Sequence, residues 1–179
     1  MLINSIAVFC GSKTGVNPLF ATHAKAIGYI LAEKNISLIY GGGKQGLMGI
    51  VADAVLERNG NVIGIIPTLL TEWEVQHETI TELIVVDDMH IRKKMLYDKC
   101  DAAIILPGGI GTLDEFFEIL TWNQLKIHSK KIFLLNTDGF YDSLLEHINR
   151  MQAENFLHLK IENQVTVITE PGFMLEYLT

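Results

Sequence analysis

Cysteine is scarce in this 179-residue chain: there are two, Cys10 and Cys100. Two cysteines that far apart make neither a disulfide framework nor a thiolate metal site, and they read as reduced core residues of a cytoplasmic protein. The six histidines show no HExxH-type spacing, so no metal is expected. Proline is equally rare, at four residues, and no repeat, linker or low-complexity tract interrupts the sequence. Long hydrophobic runs are missing as well. Nothing approaches the roughly 20 apolar residues of a membrane span, and MLINSIAVFCGSK lacks the basic and apolar regions of a signal peptide. Positive charge is the last shortage: the net charge is −7, with no stripe of Lys or Arg. That argues against a nucleic-acid partner while leaving room for a small anion in a local pocket. Hydrophobic residues make up 49% and charged residues 20%, the balance of a globular protein. Together these features predict one domain over 1–179, with neither membrane nor nucleic acid as partner.

What is present is alternation. Short apolar runs at Ile6–Cys10, Ser37–Tyr40, Asn61–Ile66, Ala102–Leu106, Lys131–Leu135 and Val165–Ile168 read as strands. Helical patterns fall between them at Leu19–Lys34, Gly46–Arg58, Met89–Lys99, Leu113–Leu125 and Phe140–Met151. The strands are apolar on both sides, as in a parallel sheet covered on both faces. The pattern predicts a doubly wound, mostly parallel α/β fold, whose ligands bind where strands turn into helices. Three of those turns, CGSKTG, YGGGKQG and LPGGIGT, carry glycines, which suits backbone approaching a ligand closely. Ser12, Gly42, Gly43 and Gly108 lie in them and are candidate ligand contacts.

The usual nucleotide signatures do not fit. A dinucleotide site needs GxGxxG after the first strand and an acid ending the second; here the residues are GSKTG and Tyr40-Gly41. The Walker loop GxxxxGK[ST] is absent too.

The stretch LPGGIGTLDE poses a puzzle. A glycine turn feeding a helix N-terminus is suited to a phosphate, yet Asp114 and Glu115 follow at once. One reading makes Thr112 and Glu115 a capping box and Asp114 a first-turn acid. The other makes Glu115 functional. Upstream, DDMHIRKKM puts Arg92 and Leu96 on one helical face, so the Arg92 fork could reach the sheet rim and a phosphate. His77 and His90 read as hydrogen-bonded structural residues. Trp73 could stack on a base, and Trp122 suits the core or an interface.

In combination, VFCGS (8–12), GGGKQGLMG (41–49), MHIRK (89–93), PGGIGTLDE (107–115), TWNQLKIH (121–128) and NTDGFYDSLL (136–145) resemble the LOG-type phosphoribohydrolases, which are often mislabelled lysine decarboxylases. The resemblance implies a Rossmann-like domain that hydrolyses the N-glycosidic bond of purine riboside 5′-monophosphates, AMP or N6-substituted, to free base and ribose 5-phosphate. It implies a homodimer, and neither metal nor organic cofactor. By motif match, Arg92 and Glu115 are the catalytic pair, and Gly109, Ile110, Gly111 and Thr112 cradle phosphate. Lys93, Thr121 and Glu74 fall on nucleotide-contacting positions. The chain departs from the family pattern at Lys13, where Ser is common, and at Lys126, where Gly is usual. Two rival classes stand beside the enzyme: a nucleotide-binding or carrier module on the same scaffold, and an interaction protein.

Overall fold

The computed structural model describes residues 2–71 and 76–178. Seven strands form one sheet: β1 (Ser5–Phe9), β2 (Ser37–Tyr40), β3 (Val62–Pro67), β4 (Glu82–Val86), β5 (Ala102–Ile105), β6 (Lys131–Leu135) and β7 (Val165–Ile168). Their order is β4-β3-β2-β1-β5-β6-β7, and every pairing is parallel. The expected "mostly parallel" sheet is thus parallel throughout.

The helices are α1 (Pro18–Glu33), α2 (Gly46–Glu57), the single turn α3 (Thr68–Thr71), α4 (Met89–Lys99), α5 (Ile110–Gln124) and α6 (Asp142–Ala153). Along β1, Ile6 and Val8 pack with α1 and α2 on one face, while Ala7 and Phe9 pack with α4 and α5 on the other. This double coverage is why the strands read apolar at consecutive positions. Two cores result, one on each side of the sheet.

Side-chain caps mark the starts of two helices. Asn17 accepts the Leu19 N–H at 3.0 Å ahead of Pro18, and one Asp88 oxygen accepts the His90 and Ile91 N–H groups at 2.8 Å. Two expectations need correction. β4 has no counterpart among the expected strands: its run Leu83–Val86 is apolar throughout, but it is the edge strand and part-exposed along most of its length. The last helix is also broken. Asp138 and Gly139 take positive φ (52° and 70°) in a 3₁₀ turn over Thr137–Gly139, so α6 begins at Asp142 rather than Phe140.

Sheet order reverses between β1 and β5. The loops after those strands, 10–17 and 106–109, therefore diverge to opposite faces and leave a crevice at the C-terminal rim.

Candidate functional site

The capping-box reading of Thr112 and Glu115 is overturned. α5 starts at Ile110 with Gly109 as its N-cap, and no side chain caps it. The first helical bond runs from the Leu113 N–H to the Gly109 carbonyl at 3.2 Å. The N–H groups of Ile110, Gly111 and Thr112 are consequently the orphan donors of the first turn, at the positive end of the helix dipole. Glycine at the cap moves the helix start upstream of the Thr, which the sequence pattern alone placed at the boundary. Thr112 is buried, and a Cβ on Gly108 would overlap its hydroxyl. Above Gly109 and Gly111 there is open space, since an added Cβ on either meets nothing within 4 Å. Uncapped donors facing open space are suited to an anion.

One turn further, Glu115 turns toward Arg92. Its carboxylate is largely buried, and its Oε1 stands 4.0 Å from Nη1 of Arg92. Arg92 is itself only 7% exposed. Nε donates to the Ile65 carbonyl at 3.0 Å, and Nη2 donates to the Gly41 carbonyl at 3.4 Å. The guanidinium is pinned over the C-terminal ends of β2 and β3, with one edge turned to Glu115. Burial pushes the Glu115 carboxyl up to about 7, against the opposing pull of Arg92. A carboxyl held near neutrality in a rim crevice can exchange a proton at physiological pH.

Asp114 is not a first-turn acid either. It pairs with Lys93 at 2.6 Å, and Lys93 also meets Glu118 at 3.2 Å. Tyr97 donates its hydroxyl to the same Glu118 oxygen at 2.8 Å. Burial lowers the Lys93 pKa, but the two carboxylates more than offset that and the amine ends raised. The puzzle of acids beside a phosphate seat is thereby resolved: Asp114 is neutralised by Lys93, and Glu115 faces Arg92 instead of the loop. Tyr97 and Glu118 escaped the sequence reading. Their signal was the four-residue spacing from Lys93 and Asp114, which puts each pair on one helical face.

The other candidates divide. Ser12 and Gly108 line a cavity of about 240 Å³ in the switch-point crevice, together with Lys13, Leu47 and the edge-to-face pair Phe20–Phe140. Gly42 and Gly43 are buried: Gly42 accepts the His77 N–H at 2.9 Å and Gly43 bridges to Gln76. They hold a neighbouring segment rather than lining the crevice. Gly41 is the glycine the site needs, because a Cβ there would overlap Nη2 of Arg92. Thr121 is exposed, and its hydroxyl donates to the Phe117 carbonyl at 2.7 Å. It sits six residues beyond Glu115, about 9 Å along the helix, and this chain does not bring it to the pair. Glu74 and Trp73 lie outside the described residues. His77 is a structural histidine, 1% exposed, with Nε2 3.0 Å from Asp53. Trp122 packs edge-on against Tyr97. Both cysteines are free and buried, and burial pushes the Cys100 thiol up to about 11. Among the described residues no three His, Cys, Asp or Glu side chains are grouped to hold a metal ion, and no helix is long and apolar enough to cross a membrane.

Fold and site define a Rossmann-like α/β protein with an anion seat and a buried arginine–carboxylate pair at its switch-point rim. Residues 48–178 match the model of a family described as "Possible lysine decarboxylase", and the chain belongs to that family. It is 47% identical over 152 residues to the cytokinin riboside 5'-monophosphate phosphoribohydrolase LOG2 of Arabidopsis thaliana, covering 85% of this chain and 71% of that one. It is 42% identical to the "Probable cytokinin riboside 5'-monophosphate phosphoribohydrolase LOG4" of Oryza sativa subsp. japonica, covering 99% and 77%. Among solved structures, the molybdenum cofactor binding protein of the phototrophic bacterium Rippkaea orientalis superposes with a TM-score of 0.74 at 25% identity, covering 99% and 96%.

Proposed function

We propose that the protein hydrolyses the N-glycosidic bond of purine riboside 5′-monophosphates, AMP or N6-substituted, giving free base and ribose 5-phosphate. The observation that carries this reading is the buried Arg92–Glu115 pair one turn below an uncapped helix N-terminus. In this scheme the 5′-phosphate takes the N–H groups of Ile110, Gly111 and Thr112, and Arg92 adds a fixed positive charge beside it. The ribose then lies over Glu115. Cleavage of the C1′–N bond leaves the bonding pair on the base and positive charge on the sugar. Glu115 stabilises that charge when ionised and takes the proton of the water whose oxygen bonds to C1′, while the departing base takes up a proton from solvent. The names of the relatives, at 42–47% identity over most of the chain, support the same reaction.

The decarboxylase description fits the residues less well. A Schiff-base lysine must reach its neutral form, whereas Lys93 is held between two carboxylates that favour its charge.

The chain of 1–179 acts as one domain in a cytoplasmic homodimer. The homodimer is what the resemblance to the phosphoribohydrolase family implies. A second reading, a nucleotide-binding or carrier module without turnover, draws on the likeness to the cofactor-binding protein of Rippkaea orientalis.

Chromatography separates the two. Wild type and Glu115→Gln are incubated with AMP and with its N6-isopentenyl analogue, and free base is measured. Base from wild type and little from the variant supports the hydrolase. Bound nucleotide without base from either would make the protein a carrier.

A further inference from the structure

A second cavity, of about 600 Å³, lies at the opposite edge of the sheet, where β6 and β7 begin. It is separated from the catalytic rim by the length of the strands, roughly 15 Å. Its volume is that of a small-molecule site. Three of its walls are lysines, Lys126, Lys130 and Lys131, drawn from six consecutive residues, and Glu162 is the one carboxylate side chain among the described residues that line it. In a chain of net charge −7 this is a marked local excess of positive charge. None of the three forms an ion pair among the described residues; the lysines that do are Lys25, Lys93 and Lys94, elsewhere. Lys130 and Lys131 donate to the carbonyls of Cys100 and Tyr177, which leaves N–H donors on each ammonium for a ligand.

The wall is built, not loose. Asn123 donates Nδ2–H to the Lys130 carbonyl at 2.8 Å and accepts the Lys130 N–H at 3.0 Å, and its Oδ1 also takes Nδ1 of His128 at 2.6 Å. Nε2 of His128 is enclosed and has no partner; with Nδ1–H given to Asn123 it is a lone-pair acceptor, so the lysines and not this ring are what the wall offers an anion.

Lys126 supplies an independent pointer. Among the described residues, five other than glycine take positive φ, and four of them are Asn or Asp, which tolerate it. The fifth is Lys126, at φ 59°, just past the end of α5. The Ile127 N–H bonds the Trp122 carbonyl and the Lys126 N–H bonds that of Asn123, the pattern that glycine fills with least strain. A lysine kept at such a position suggests that its side chain is in use.

We propose that this cavity binds a small phosphorylated anion. Lysines act as compact point charges, with no Arg fork among them, which suits a phosphate or polyphosphate better than a planar carboxylate. The inference does not rest on the reaction assigned to the rim.

The test is an NMR titration of the isotope-labelled full chain with inorganic pyrophosphate up to millimolar concentration. The amides of 123–132 and 162–166 are expected to shift along their own isotherm, separately from those of 107–112. In Lys126→Gly/Lys131→Gln that lower-edge isotherm should weaken at least tenfold while the rim isotherm stays as it was. Lys126→Gly relieves the left-handed position, so the fold is not at risk, and Lys131→Gln alone should weaken binding severalfold. Lower-edge amides that do not move, or an isotherm unchanged in the double variant, would overturn the proposal.

Discussion

Gly41 and Arg92 compete for one space: a Cβ on Gly41 would overlap Nη2 of the guanidinium that the Gly41 carbonyl itself accepts from. The glycine is there because the arginine lies flat against it. Gly41→Ala should therefore displace Arg92 from Ile65 and Gly41 and open its distance to Glu115. Misplacing a catalytic group by an ångström costs on the order of 10²-fold, so kcat for base release should fall by about that factor. A fold left largely intact is expected, with a loss of about 1–3 kcal/mol for overpacking. An alanine variant of undiminished kcat would show that the seat of Arg92 is not important.

Glu115→Gln keeps the shape of the side chain and removes its charge. Loss of a single preorganised electrostatic group typically costs about 10²–10³ in rate, and that is the expected drop in kcat, with nucleotide binding retained. Parallel turnover assays and binding isotherms on the two proteins read this directly. Equal loss of binding and turnover would instead assign Glu115 to ground-state contacts.

The same residue should govern stability against pH. Burial lifts its carboxyl from 4.5 to about 7, so the folded state prefers the protonated form. That contribution is fully present below the unfolded value and is lost as pH rises through about 7. Between about pH 5 and pH 8 wild type should lose on the order of 2 kcal/mol relative to Glu115→Gln. Denaturant unfolding of both proteins at the two pH values gives the difference. Parallel curves would refute it.

Lys126→Gly should raise stability. The left-handed conformation strains a lysine by about 1–2 kcal/mol, and glycine returns some of that as extra freedom in the unfolded chain. A net gain of about 0.5–1 kcal/mol is expected, seen as a Tm higher by about 1–4 °C. An unchanged or lower Tm would mean that contacts of the lysine outweigh its backbone strain.

His77→Ala should act on the fold rather than on chemistry. Its ring bonds Asp53 on α2 from a fully buried position, so its loss leaves a gap and an unpaired contact. We expect a loss of about 1–3 kcal/mol in unfolding free energy, with the residual folded enzyme keeping its kcat. A proportionate fall in kcat in fully folded protein would place the histidine in the chemistry after all.

Much of this was legible before any coordinates. Runs such as SLIY and KIFLL are apolar at consecutive positions, which a strand tolerates only when helices cover both faces, and that dictates a parallel sheet. Glycine turns at the strand ends mark the rim, and the order of the motifs identifies the family. These features are local or periodic, so one dimension suffices to carry them. Other features depend on what meets in space. β4 is a strand because β3 offers it an edge, although its own sequence is half exposed. Glu115 has no capping role because α5 begins at Ile110, with Gly109 as its N-cap, a matter of how the loop leaves β5. Arg92 finds Glu115 only because α4 and α5 pack side by side on one face of the sheet, and the same burial that brings the two together lifts the carboxyl toward neutrality. The lysines of 126–131 likewise form a wall only where β6 and β7 begin side by side. Sequence spacing determines which residues share an element; desolvation and the meeting of distant elements, which decide the chemistry, exist only in the folded chain.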